Sequence, residues 1–540
     1  MTGLLSTAPH VHRKRPFNGM EAVTEKVCEG CEMNKTRDIL QAANELAEKM
    51  KSRIINSPDR IRVSGRSYYV SNDGSDENDG LTKDTPWKTL ARVSRAALSY
   101  GDGVFFRRGD IFRGYIITSP GVTYGAYGTG EKPRLYGHDR DLADPVLWEL
   151  YDERAHIWRL KESILDCGTL VFNGGEACCR KLIPSYKRGK FVCRENEDID
   201  FDIVREMERD LDLFCKYDKR LTGTGDSPDN FPVPLLDENS LGELYLRCDR
   251  GNPGEVFSSI EALPRRSMIY VMCNPGVTVD NLCLKYIGIH AVAAGGGCVK
   301  DLCVSNCEIG WVGGTVQHYS GTDPNYPRGK RGSVTRYGNG VEIYGGCDGY
   351  TVTGCYIYQV YDAGITHQIT TMGKTHIMKN ITYAENLIEN CVYSVEYFLD
   401  KEKNDAESMI YNCKIRDNIM RYSGFGWGMQ RHNTDTPAHI KGWNYINTAR
   451  EFSVCGNIFV FAAKRMIHIA ADEASSLPRM QGNTYIQSKG AVLGIFGVNG
   501  KEGCDDIIFD EDVEEKINNV LGEKDHTLCF EQAPSNTVAK

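Results

Sequence analysis

Two carboxylic acids, Asp362 and Glu396, stand in segments of similar make-up, YDAGITHQ (361–368) and CVYSVEYF (391–398), each dense in polar and aromatic residues. Two further segments share that character. GNGVEIYGG (338–346) adds Glu342, and SGFGWGMQRH (423–432) adds Trp427, Gln430, Arg431 and His432. A converging pair of carboxyl groups suits acid/base cleavage of a glycosidic bond: one is held protonated to donate to the leaving oxygen, and the other stays ionised as nucleophile or base. Packing beside Tyr361, Tyr393 and Tyr397 would raise one pKa by desolvation and so split the two roles. Asp362 and Glu396 are therefore the expected catalytic pair. Glu342, His367, Gln368, Gln430, Arg431 and His432 are expected to meet sugar hydroxyls, with Trp427 as a stacking surface. A single acid of this kind is more often a solvated or capping residue; three in matching segments beside Trp427 point to a site.

The elements that must position these residues show as a recurring strand-and-turn unit. It reads VSNCEI (304–309), VTGCYI (352–357), AENLI (384–388), RDNIM (416–420), CGNIF (455–459) and QGNTYI (481–486). Aligning Cys307, Cys355, Asn386, Asn418, Asn457 and Asn483 gives spacings of 48, 31, 32, 39 and 26. A solenoid coil needs only about 20–25 residues, so the excess must leave as loops. The pattern predicts an all-β right-handed parallel β-helix, with asparagines stacked at one turn and function on an outer face walled by the loops. Asp362 and Glu396 fall on neighbouring coils.

Upstream, Ile39, Leu40, Ala43, Leu46, Ala47 and Met50 share one helical face over 36–52, predicting a helix that covers an open end of the solenoid. The acidic run Asp73, Asp76, Glu77 and Asp79 lacks the ligand spacing of a calcium loop and reads as a hydrogen-bonded Asx loop. The stretch 140–266 is charged, holds Trp148 and Trp158, and breaks the repeat, with a helical look over 200–214. The expected organisation is an extension and capping helix (1–60), a first part of the β-helix (61–139), an inserted β-rich lobe (140–266), the main β-helix (267–500) and an acidic C-terminal segment (501–540).

Gly 55 against Pro 19 suits many tight turns between hydrogen-bonded strands, and Tyr 28 against Phe 18 hints at carbohydrate-facing surfaces. A net charge of −9 without a basic stripe argues against nucleic acid. No apolar run suits a bilayer span, and the basic start lacks the apolar core of a secretory signal. A cytoplasmic protein is expected, its 20 cysteines mostly small buried thiols. No cofactor or metal is expected: Cys28 and Cys31 form a lone CxxC, and the histidines lack a spaced third ligand. The basic loop 324–338, with Arg328, Lys330, Arg331 and Arg336, is either solvated or a rim that contacts substrate. Oligomeric state has no signal.

The strings YYVSNDGSDENDGLTKDTPWKTL, GDGVFFRRGDIFRG and GAYGTGEKPRLYG resemble the opening of bacterial right-handed parallel β-helix (pectate-lyase-like) proteins related to carbohydrate-active enzymes. The resemblance covers roughly residues 60–490, interrupted by the insert. β-Helix glycoside hydrolases of xylosidase-like and fucosidase-like families are similar in carrying such a lobe, which polysaccharide lyases of the fold generally lack. The resemblance implies catalysis by two acids on neighbouring coils, for which Asp362 and Glu396 fit by position. With no export signal, it implies short oligosaccharides as substrates. A polysaccharide lyase or uronate epimerase, using Arg431, His432 or Lys401, stays open, as does a non-catalytic carbohydrate-binding solenoid.

Overall fold

The computed structural model describes residues 32–59, 62–187, 190–193, 196, 198–216, 242–319, 334–431, 437–443, 447–499 and 504–534. Successive strand-and-turn units wind into coils whose strands align in three ten-stranded sheets. All neighbours are parallel except the last pair of the second sheet, Val492–Val498 with Ile507–Ile508. This is a right-handed parallel β-helix, the hand that connections between parallel strands take. Alternate residues point inward and stack coil on coil. One interior row of the first sheet runs Val279, Val304, Val352, Tyr383, Ile415, Val454, Met480 in strict register, and all are buried.

The turn between the first and third sheets explains the repeat. On each coil one residue there has positive φ: Asn281, Asn306, Gly354, Glu385, Asp417, Gly456 and Gly482. These are residue types that tolerate the left-handed region or, as at Glu385, a site where the stacked turn imposes it. The next residue points inward. Asn386 donates to Asn418 (2.9 Å), Asn418 to Asn457 (2.9 Å), Asn457 to Asn483 (3.1 Å) and Asn483 to Glu523 (2.8 Å). Cys307 and Cys355 hold the same place on earlier coils, and the Cys355 N–H donates to Asn386 Oδ1 at 2.9 Å. Asn418→Ala would strand the Asn386 amide and backbone N–H, which bond Asn418 Oδ1, and the Tyr383 carbonyl, which accepts from Asn418 Nδ2. At about 1–3 kcal/mol for each buried group left unsatisfied, the urea unfolding midpoint should drop sharply. An unchanged midpoint would show that the ladder is ornamental.

The N-terminal helix, Glu32–Ile55, forms as the periodicity predicts, but it covers a side of the solenoid and not an end. Ala43, Ala47 and Ile54 pack on the outer face of the third sheet, where Tyr356, Leu387, Ile419 and Ile458 make an apolar column in register. A helix of 24 residues reaches about 36 Å at ~1.5 Å per residue, enough to cross about seven coils. Arg53 pairs with Glu385 (2.9 Å), and Arg421 donates to Asn44 (3.0 Å). The interior is closed instead by Trp87 with Leu90 and Val93 of the short helix Leu90–Ser94, and at the far end by Val513, Ile517 and Leu521. The described residues beyond 504, part of the expected acidic C-terminal segment, thus supply an end plug. They also supply the last strand of the third sheet, Thr527–Phe530.

Between the third sheet's Arg134–Tyr136 and the second sheet's Ile269–Met272 the chain builds sheets that are antiparallel except for the pairing of Arg180–Lys181 with Asp212–Lys216, with their own apolar cluster, including Trp148, Leu160, Leu170, Phe172 and Leu246. The helix expected over 200–214 is limited to Ile203–Glu206; Asp212–Lys216 is a strand paired with Glu243–Arg247, whose buried side chains outweigh local propensity. The Asp76 carboxylate accepts from Lys88 N, Thr89 N and Thr89 Oγ1, and Asp79 from Leu81 N and Thr85 Oγ1, as an Asx loop would. The described cysteines are free thiols and mostly buried. Cys28, Cys31, Arg328, Lys330 and Arg331 lie outside the described residues. No described helix is long and apolar enough to cross a membrane.

Candidate active site

The outward face of the second sheet carries one polar column. Glu342, Thr366, Glu396, Lys441 and His468 are lateral partners on five successive coils. The flanking positions Ile343, Ile365 and Val395 point into the core. Asp362 sits just ahead of the strand Ala363–Thr370, and its carbonyl accepts from Tyr393 N at 3.1 Å, so it joins the same coil pair as Glu396. Its lateral position is four residues from that of Glu396, whose register partner is Thr366. Asp362 and Glu396 are therefore not register partners, though the Asp362 charge is felt at Glu396.

Glu342 is buried and tightly held. His290 Nδ1 lies 2.7 Å from its Oε2, Asn339 Nδ2 donates at 2.9 Å, and Gln368 Nε2 donates at 3.2 Å. Asn339 also accepts from Ala363 N (2.9 Å), locking the two coils together. Burial alone would raise the Glu342 pKa, but the His290 contact and these hydrogen bonds outweigh it and leave it below its ordinary value. Arg431 donates to Asp362, and the guanidinium lies 6.0 Å from the Tyr393 ring. Burial still carries Asp362 above the usual aspartate value, against the pull of Arg431. Glu396 accepts a hydrogen bond from the Trp443 indole N–H. Burial first, then the neighbouring Asp362 charge, push Glu396 up to about 8. Burial lowers Lys441 to about 7, with Arg465 and Arg431 adding to the shift and Glu396 opposing it. The site thus holds one carboxylate kept ionised and one carboxyl kept protonated near neutrality, with Asp362 paired to a cation between them.

Five of the residues singled out in the sequence meet here: Asp362, Glu396, Glu342, Gln368 and Arg431. Three do not. His367 faces the interior, stacked 5.7 Å from the Tyr397 ring, with Nδ1 2.9 Å from Tyr383 Oη; burial lowers its pKa to about 3. It is the inward neighbour of Thr366, a consequence of strand alternation. Trp427 is buried, stacks on Trp311 at 6.3 Å and donates to the Gln359 carbonyl at 2.8 Å, so it packs under the inserted lobe and offers no free ring face. Gln430 binds lobe backbone, donating to Cys179 O (2.9 Å) and accepting from Lys181 N (3.2 Å). Arg336 is likewise no rim residue: it is buried and donates to Gly314 O and Gly168 O, tying helix to lobe. His432 lies outside the described residues.

Sequence reading missed Lys441, Trp443, His468, His290 and Asn339. A signal existed for one. Thr366, Glu396 and His468 each lie ten or eleven residues beyond Cys355, Asn386 and Asn457. That offset fails for Glu342 and Lys441, whose coils carry long insertions ahead of the strand.

No protein-family model and no curated protein matches the chain. Among solved structures it is similar to XylC in complex with xylose, at 11% identity, 87% of each chain and TM-score 0.41. It is similar to a GH136 lacto-N-biosidase from Eubacterium ramulus at 14% identity, 92% of this chain, 72% of that one and TM-score 0.36. It is also similar to a polygalacturonase from Erwinia carotovora at 9% identity, 83% of this chain, 99% of that one and TM-score 0.30. At these values the likeness adds nothing to what the residues of the site say about activity.

Proposed function

We propose that this chain is a glycoside hydrolase acting on short oligosaccharides, with Glu396 as general acid and Asp362 as nucleophile or base. The observation that carries the reading is the unequal treatment of two neighbouring buried carboxyl groups. Asp362 is paired with Arg431, while Glu396 receives an indole N–H and is pushed up to about 8. At neutral pH the proton shared by such a pair resides on Glu396, which is the state needed to protonate a leaving oxygen. Glu342, kept ionised, accepts from sugar hydroxyls beside Gln368. Thr366 Oγ1, buried between Glu342 and Glu396 in the column and without a hydrogen-bond partner, offers a further contact for substrate or water.

A second reading has one observation in its favour. Lys441, lowered to about 7, is neutral often enough to remove a proton, as a polysaccharide lyase or epimerase acting on a uronate requires. Incubation with a panel of aryl glycosides and oligosaccharides separates the two. The expected result is release of phenol and new reducing ends without an ultraviolet-absorbing unsaturated product. Unsaturated product would assign elimination, and binding without turnover across the panel would overturn both readings.

A further inference from the structure

Lys441 stands one coil beyond Glu396 at the same lateral position of the second sheet, so their side chains leave the sheet about 4.8 Å apart. One indole serves both. Trp443 donates its N–H to Glu396, and Lys441 Nζ lies 4.3 Å from the centre of the same ring. Lys441 Nζ is also 2.6 Å from His468 Nδ1, which Arg465 Nη1 approaches at 3.4 Å. A guanidinium can only donate, so Nδ1 is the bare nitrogen of a neutral imidazole, and Lys441 donates to it. Burial first, then Lys441 and Arg465, hold His468 down at about 3, so it takes no proton from the amine near neutrality. Arg465 is itself balanced by Asp506, at 2.6 and 2.7 Å.

An ammonium donates to such a nitrogen, and so does a neutral amine. The contact with His468 therefore holds Lys441 in place without fixing its charge. Among the described residues, the charged or titratable groups around Lys441 are Glu396 on the preceding coil, Arg431 from the loop between, and Arg465 and His468 on the following coil. Burial above all, then Arg465 and Arg431, disfavour the ammonium; of the described groups Glu396 alone favours it. We propose that Lys441 is a positioning residue for Glu396 whose charge follows that of the carboxyl group: neutral while Glu396 holds its proton, cationic once that proton has gone. In turnover, Glu396 gives its proton to the leaving oxygen and becomes a carboxylate, and the amine takes one proton from solvent. When Glu396 regains a proton, Lys441 returns one to solvent, so the total charge of the pair stays at zero. The role of acid rests on the hydrolase reading; the coupling of the two charges does not.

Carbon-13 NMR of the full chain, labelled at glutamate Cδ and lysine Cε, reads both titrations without substrate. Glu396→Gln should lower the Lys441 pKa, and a reciprocal effect should appear at Glu396. Lys441→Met should raise the Glu396 pKa, and Lys441→Arg, a cation at every pH, should lower it, each by about one pH unit. The alkaline limb of kcat should move with it, upward in the first variant and downward in the second. A lysine that only held Trp443 in place would shift Glu396 the same way in both variants, or not at all. Either of those results overturns the coupling and leaves the hydrolase intact, and so does a Lys441 titration indifferent to Glu396→Gln. That last measurement decides the matter should neither Lys441 variant fold. Opposite shifts in a chain that hydrolyses no glycoside support the coupling and overturn the hydrolase.

Discussion

Glu396→Gln should lower kcat by about 10²–10⁴-fold on a glycoside with a poor leaving group, the usual worth of a positioned general acid. On a dinitrophenyl glycoside, whose leaving group needs no proton, the loss should be less than about tenfold. That contrast is what separates an acid from a residue that merely shapes the groove. The pH profile carries the same information. Glu396 is active while protonated, so wild-type activity should fall as pH rises through about 8, and this limb should vanish in the glutamine variant. Stability gives an independent check. The folded state raises Glu396 from 4.5 to about 8, so the folded chain binds this proton more tightly than the unfolded chain does. The stabilisation is complete below about 4.5 and is lost as pH rises through 8. Glutamine fills the same space without a charge to bury. The variant should therefore gain Tm relative to wild type across that window, measured by calorimetry. A variant that unfolds more easily at pH 8 and loses both substrates alike would remove Glu396 from the acid role.

The fold was legible because a single turn repeats its chemistry. A left-handed residue followed by an inward asparagine recurs at Asn386, Asn418, Asn457 and Asn483, and the hydrogen-bond ladder joins these four coils. The two acids could be placed on neighbouring coils because no insertion separates either from its repeat unit: Asp362 lies seven residues beyond Cys355 and Glu396 ten beyond Asn386. What the sequence hid follows from alternation and from loops. His367 and Thr366 are neighbours, yet one faces the core and the other joins the outward polar column, and only the register with Glu342 and Glu396 decides which. Trp427 and Gln430 belong to a segment that suggests a sugar platform, but the contact partners that claim them, Trp311 and the Cys179 carbonyl, are far away in sequence. Lys441 was hidden by the insertion ahead of its strand, and His290 by a coil without any repeat signature.

Asp362→Asn should reduce turnover at least as severely, about 10³-fold or more, because it removes the nucleophile or base and disturbs the acid as well. The Asp362 charge is the second cause, after burial, of the raised Glu396 pKa. With asparagine in its place, any residual activity should lose its alkaline limb at a lower pH than wild type, as expected for two groups that titrate together. The substitution has a structural consequence too. Arg431 is largely buried and paired with Asp362, and breaking a buried pair by removing one partner costs about 3–5 kcal/mol. Loss of activity alone is therefore a weak test, since a looser Arg431 could misplace the groove. Small anions resolve the matter. If Asp362 is the nucleophile, azide should occupy the vacated space beside Arg431 and attack the anomeric carbon of an activated aryl glycoside, expelling the phenolate and leaving a glycosyl azide as product. Restoration through water alone would make Asp362 a base and the reaction inverting. Arg431→Met supplies the complement: it keeps the carboxylate, removes the cation, and should drive the Asp362 pKa further up, since burial would then act unopposed by that charge. The proton would then be contested between Asp362 and Glu396, and the variant should fail most at acidic pH, where Asp362 is protonated first. An Arg431 variant with an unchanged acidic limb would mean that the guanidinium binds substrate and does not set the protonation of the pair.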